Sequence, residues 1–279
     1  MSQESAPGGP LDQAPPLVPR DPANSWTLAE WDRMWHPSMW LRRPPNPHVI
    51  HGWHLVGIVA LTFYANIVAN EILDSLWYIP FNLAILGVAV AIARHAHVTW
   101  VDMGMWRERF RQGIQLGLLV MAAIAVIIAL GVAIPATREI FYDDRVIGES
   151  TGVILFNALV RIPIATAFYE EMLFRGVLFG MFARKWQPLW AGLMSATLFG
   201  LWHILPTLNT LEVNPAGDLF DGFLGLFVAT AGAVVATAVV GMGFLWLRLR
   251  ANSTLAPVLA HIATNSFALL AAWYVVNAL

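Results

Sequence analysis

The chain has 279 residues, of which 58% are hydrophobic and only 12% charged, with a mean hydropathy of +0.61. A soluble domain carries about twice that charge fraction, so the composition describes a protein whose main solvent is lipid. A net charge of −2 offers nucleic acid no basis for binding, and the lack of cysteine excludes a thiol nucleophile, disulfides and a Cys-ligated metal while leaving the redox compartment open.

Residues 1–24 are rich in proline, glycine and polar or acidic groups. They lack the apolar core of a secretory signal and read as a disordered tail. Thr27-Leu-Ala-Glu30 then has capping-box spacing. Leu28, Trp31 and Trp35 follow at helical spacing, with Arg33, Arg42 and Arg43 nearby. Residues 25–52 are thus predicted to form a short helix lying in the membrane interface, with tryptophans at headgroup depth, followed by a linker. Pro44, Pro45 and Pro47 end that helix. Six of the eight histidines, His36, His48, His51, His54, His95 and His97, fall in this segment, at span ends or in loops, and read as interfacial or solvated.

Seven apolar segments follow, roughly at 53–73, 78–94, 114–135, 151–183, 188–206, 222–247 and 254–277. The predicted fold is an all-α polytopic membrane bundle of about seven transmembrane helices, with a membrane domain over 53–279. Arg94, Arg107, Arg109, Arg111, Arg184, Lys185, Arg248 and Arg250 crowd one set of loops, joined by the arginines of the N-terminal segment. The opposite loops hold only Arg138 and Arg145, set among acidic residues. The positive-inside rule therefore predicts a multi-pass protein, in the cell membrane, with a cytoplasmic N-terminus and an external C-terminus. The fourth segment is too long for a straight crossing, and a break or tilt is predicted near Pro163. Arg161, just before it, is expected to pair with Glu71 or Asp74.

That fourth segment also holds Glu170, Glu171 and Arg175. At about 2.5–3.5 kcal/mol for each ionised group at the centre of a span, three unpaired charges would cost about 8–10 kcal/mol, which demands a compensating use. Glu171 and Arg175 stand at i,i+4 on one helix face and can neutralise one another, which reads as structural. Glu170 points about 100° away with no local partner, which suits a general base. A packing cluster of all three remains the alternative. Later spans add His203, in Phe199-Gly-Leu-Trp-His203, and His261, which shares a face with Asn265 one turn on. A lone membrane histidine is commonly a helix–helix hydrogen-bonding residue. Two of them beside a buried glutamate are the ingredients of proton-transfer hydrolysis, and Asn265 with His261 could donate to a developing oxyanion. Phe199, one turn before His203, reads as core packing.

Glu-Glu-x-x-x-Arg, then Phe-x-x-x-His, then His-x-x-x-Asn, in that order on three late membrane helices, resembles the CPBP intramembrane proteases. That family includes the type II CAAX prenyl endopeptidases and relatives linked to bacteriocin processing and self-immunity. The resemblance covers about residues 150–277. It implies an intramembrane endopeptidase acting on membrane-embedded or amphipathic peptides in the lipid bilayer. Glu170 would activate water with His203, His261 and Asn265 would stabilise the tetrahedral oxyanion, and Glu171, Arg175 and Phe199 would support them. The favoured mechanism needs no cofactor. The alternative is a zinc ion held by Glu170, His203 and His261, although that would leave Asn265, a poor zinc ligand, without a role. A non-catalytic membrane scaffold or a bacteriocin self-immunity protein is the other functional reading. A transporter is disfavoured because no related halves or paired broken helices are evident.

Overall fold

The computed structural model describes residues 26–45, 50–213 and 222–278. The predicted disordered tail lies outside these residues, as do Pro47 and His48. Among the described residues, seven helices are long and apolar enough to cross a membrane: Gly52–Ile72, Ser75–His95, Arg107–Ala133, Thr151–Ala183, Pro188–Glu212, Gly222–Ala251 and Leu255–Ala278. They are called the first to seventh spans below. The described residues contain no strand, so the chain is the polytopic helical bundle that its apolar segments foretell. Two spans outrun their predicted segments because polar residues continue the helix beyond the apolar stretch. The third begins at Arg107 and the fifth runs on to Glu212.

The fourth span does not break at Pro163. It stays continuous for 33 residues and widens instead into a π-helix over Asn157–Phe168 and again over Met172–Leu178, with a short α-helical stretch, Tyr169–Glu171, between them. In a π-helix each carbonyl accepts from the amide five residues on. Pro163 has no N–H to give Ala158, and the Ser266 hydroxyl donates to the Ala158 carbonyl at 2.7 Å in its place. Further along, Asn82 of the second span donates to the Ala165 carbonyl at 3.0 Å. The widened helix is thus supplied with partners by its neighbours, the condition under which irregular backbone survives in lipid.

The fifth span is interrupted at His203, which is the C-cap of Pro188–Trp202 and precedes a second helical run from Ile204. Pro206 explains the interruption, because it cannot return a hydrogen bond to the Trp202 carbonyl. Asn66 of the first span donates to that carbonyl at 3.0 Å. The fifth span packs on the sixth and the third on the seventh. The latter contact needs Gly117, where a methyl group would stand 2.8 Å from Leu259.

The N-terminal segment departs from expectation. Thr27 and Glu30 do form the capping box, but Trp26 and Trp31 are 1% and 0% exposed and are packed inside the protein. An indole N–H needs an acceptor when buried, and this end of the bundle offers two. Trp26 donates to the Ala183 carbonyl at 2.8 Å and Trp31 to the Asp102 carboxylate at 3.1 Å. Arg248 lies 4.4 Å over the Trp31 ring, and Asp32 receives Arg109 and Asn252. Asp102 also pairs with Arg184 at 3.6 Å. Burial pulls the Arg184 guanidinium down from its ordinary range, and Asp102 opposes that shift. His54, expected to be interfacial, is buried as well; its ring meets His95 at 3.0 Å and stacks on Trp53.

Candidate active site

The stretch Tyr169–Glu171 carries two buried carboxylates into the bundle. Glu171 is fully buried and accepts from Arg175 at 2.9 Å. The helical spacing that separates these residues by one turn accounts for this pair. Three aromatic rings surround the Arg175 guanidinium: Phe199 at 3.9 Å, Phe244 at 5.4 Å and Phe174 at 6.0 Å. Its second terminal nitrogen has no hydrogen-bond partner and faces that aromatic box. The sixth span makes room for it at Gly241, where a methyl group would come within 2.9 Å of the guanidinium and 3.1 Å of Phe199. Phe199, read from sequence as packing, is the plate on which this charge rests.

Glu171 has a second partner that sequence spacing does not reveal. His261 of the seventh span meets the same carboxylate oxygen through Nδ1 at 2.8 Å. With Glu171 ionised against Arg175, Nδ1 carries the proton and donates, which leaves the lone pair on Nε2. That nitrogen stands 4.0 Å from Oε2 of Glu170. The gap is too long for a hydrogen bond and has the scale of a polar contact mediated by water.

Glu170 is buried like its neighbour but held differently. Trp202 donates to its Oε1 at 3.2 Å, while Oε2 has no protein partner among the described residues. Trp202 is the member of this cluster that the sequence reading missed. The available signal was its position beside His203, as an N–H donor in an otherwise aliphatic and glycine-rich run.

His203 is half-buried at the interruption of the fifth span. Its Nδ1 lies 2.7 Å from the Phe199 carbonyl, one of the carbonyls a helix end leaves unpaired. A carbonyl can only accept, so Nδ1 is the donor and Nε2 keeps its lone pair. The ring packs edge-on against Phe199 at 4.6 Å. No hydrogen bond joins His203 to Glu170 among the described residues, so cooperation between them would run through water.

Asn265 lies one turn beyond His261 and touches the Thr264 hydroxyl at 3.2 Å through Oδ1. It lines a cavity of about 750 Å³ that extends between the fourth and seventh spans to the connection after the third span. Thr166, one turn before Glu170, lines the same cavity. Glu171, Arg175, Phe199 and His261 therefore meet directly, and Glu170 stands 4.0 Å from His261. His203 joins through Phe199, and Asn265 borders the approach. Arg161 also lines the cavity, and the pairing expected for it is absent. Its guanidinium lies 4.3 Å over Tyr78, while Glu71 meets Asn209 instead. Among the described residues, no three histidine or acidic side chains converge as a metal site.

Residues 152–267 match the family model described as Rce1-like type II CAAX prenyl endopeptidase. The match takes in the fourth, fifth and sixth spans and the His261–Asn265 turn of the seventh. No curated protein and no solved structure matches the chain. The matched stretch is similar to a CAAX-type protease family, and the seven helices long and apolar enough to cross a membrane fit a multi-pass membrane protein.

Proposed function

We propose that the chain is an intramembrane endopeptidase in which Glu170 draws a proton from water as that water attacks a peptide carbonyl. The observation that carries this reading is the asymmetry of the two glutamates. Glu171 is ion-paired with Arg175 and bonded to His261, both through Oε1, and its Oε2, like that of Glu170, has no partner among the described residues. Glu170 has one oxygen fixed by Trp202 and the other open, 4.0 Å from the Nε2 lone pair of His261. A water held between that oxygen and that nitrogen would meet two acceptors and could give up a proton. His203, whose Nδ1 is turned to the Phe199 carbonyl, supports Glu170 in activating the water, and the proton that Glu170 takes passes to the leaving amine nitrogen as the peptide C–N bond breaks. Asn265, at the cavity wall, is the amide donor for the developing oxyanion. The membrane position argues for a substrate that is itself embedded or amphipathic.

Zinc is the cofactor that this donor set brings to mind. His261 and Glu170 present one free donor atom each to a common space, and no third acidic or histidine donor joins them among the described residues. The set does not fit the three protein ligands of a catalytic zinc site. Protein reconstituted in liposomes is expected to cut a membrane-anchored peptide at an unchanged rate after treatment with a strong zinc chelator, and His261→Ala is expected to abolish cutting. Loss of activity on chelation, restored by added zinc, would overturn the metal-free part of this reading. Full activity in His261→Ala would remove the site itself.

The distribution of arginine and lysine further supports a cytoplasmic N-terminal face. In that orientation the cavity mouth, near Glu149, opens on the external side. Single cysteines replacing the exposed residues Glu108 and Glu149 report on the two faces of this cysteine-free chain. An impermeant thiol reagent should label Glu149→Cys in intact cells and spare Glu108→Cys. The reverse pattern inverts the topology.

A further inference from the structure

We propose that Arg161 anchors a carboxylate at or near the C-terminal end of the peptide substrate, held in the cavity beside the catalytic cluster. This rests on the endopeptidase reading above. The cavity of about 750 Å³ is bounded on one side by Arg161 and Thr166 of the fourth span and on another by Asn265 of the seventh. Thr166 is one turn from Glu170 and Asn265 one turn from His261, so the cavity is lined by the same two helices that carry those two catalytic groups.

Arg161 is a cation with an unfilled role. Tyr78 supports one face of its guanidinium at 4.3 Å. Its Nε is buried and has no hydrogen-bond partner. Among the described residues it forms no ion pair. The other charges of the cavity do not meet it. Asp143 is gripped by Arg145 through contacts of 2.6, 2.9 and 3.1 Å. Those hydrogen bonds hold the Asp143 carboxyl below the usual carboxylate range. Glu149 lines the cavity from an exposed position without pairing to Arg161. A planar guanidinium braced by a ring and short of an acceptor is suited to a carboxylate.

The spacing agrees with a peptide lying between anchor and cluster. Arg161 precedes Glu170 by nine residues on one helix. At about 1.5 Å per residue that is at most about 14 Å, the length of about four extended residues. A chain held by its carboxylate at Arg161 would therefore present a bond a few residues inward to Glu170. The half-buried polar groups of Asn157 and Asn265, which line the same cavity, are placed to meet its backbone.

The test uses the full-length Glu170→Gln protein in nanodiscs, which would bind without cutting. The probe is a fluorescent, N-terminally lipidated heptapeptide with an apolar C-terminal end, in three forms: free acid, C-terminal amide, and amide with glutamate as the last residue. The free acid is expected to bind about 10–100-fold tighter than the plain amide. Adding Arg161→Gln should bring acid and amide to parity, and Arg161→Lys should keep part of the preference. If the glutamate-bearing amide matches the acid, the anchored group is any peptide carboxylate; if it matches the plain amide, the terminal carboxylate is required. In the cleaving protein, Arg161→Gln should raise KM with kcat within a few-fold. Equal binding of acid and amide, no measurable binding of the acid, or a preference that survives Arg161→Gln at an unchanged melting temperature would each overturn the assignment. Binding is read without turnover, so an acid preference in a protein that never cuts would refute the protease and leave the anchor. Cutting without an acid preference would do the opposite.

Discussion

Glu170→Gln is expected to lower turnover by about 10²–10⁴-fold, the range that a positioned general base contributes, while leaving the melting temperature nearly unchanged. The substitution keeps an oxygen to accept from Trp202, whose indole N–H lies 3.2 Å from Oε1. It makes no ion pair disappear, because the nearest basic atom, Nε2 of His261, is 4.0 Å away and carries a lone pair in the arrangement described. What it removes is the ability to take a proton. Peptide cleavage and thermal unfolding, measured on the same preparation, separate chemistry from folding. A stable Glu170→Gln protein that still cuts would refute the general base. One that no longer cuts would leave a scaffold function without support.

Glu171→Gln and Arg175→Ala are expected to behave in the opposite way, with a marked loss of stability. Deleting one partner of a buried ion pair typically costs about 3–5 kcal/mol, because the remaining charge is stranded. Arg175 is 1% exposed and Glu171 0%, so neither can turn to solvent. The two variants should also differ from each other. Arg175→Ala leaves Glu171 able to orient His261, so activity should fall mainly with the folded fraction. Glu171→Gln replaces the carboxylate that fixes the His261 tautomer, so activity per folded molecule should fall as well. Melting temperature and turnover for both, set beside Glu170→Gln, decide the matter. A stable, inactive Glu171→Gln protein alongside an active Glu170→Gln protein would show that the roles of the two glutamates are exchanged.

The sequence exposes those features of the fold that depend on spacing along one helix. Span number, the capping box at Thr27 and Glu30, and the Glu171–Arg175 pair follow from hydropathy and from the 3.6-residue turn. Contacts between helices far apart in sequence were not legible. The Glu171–His261 hydrogen bond joins residues 90 apart and the Trp202–Glu170 bond residues 32 apart, and no periodicity announces either. Pro163 was legible as a break or a tilt; the helix does not break there, because the outcome depends on whether a neighbour can satisfy the freed carbonyl, and Ser266 does. The tryptophans of the N-terminal segment were read as interfacial because amphipathic aromatics near arginines are usual at headgroup depth. The acceptors that draw Trp26 and Trp31 inward, Ala183 and Asp102, come from elsewhere in the chain.

The docking of that N-terminal segment also sets an order of events during synthesis. Trp31 and Asp32 leave the ribosome early, yet two of their partners come late: Arg248 at the end of the sixth span and Asn252 in the turn after it. Asn252 and Asp32 are separated by 220 residues. At about 5–20 residues per second, roughly 10–45 s pass between their appearances. Asp102 and Arg109 emerge within that interval, so Trp31 and Asp32 gain some partners early and wait for Arg248 and Asn252 to complete the set. The contact can close only after the sixth span has emerged, so it serves as a clasp fastened late, on a bundle that is already nearly complete.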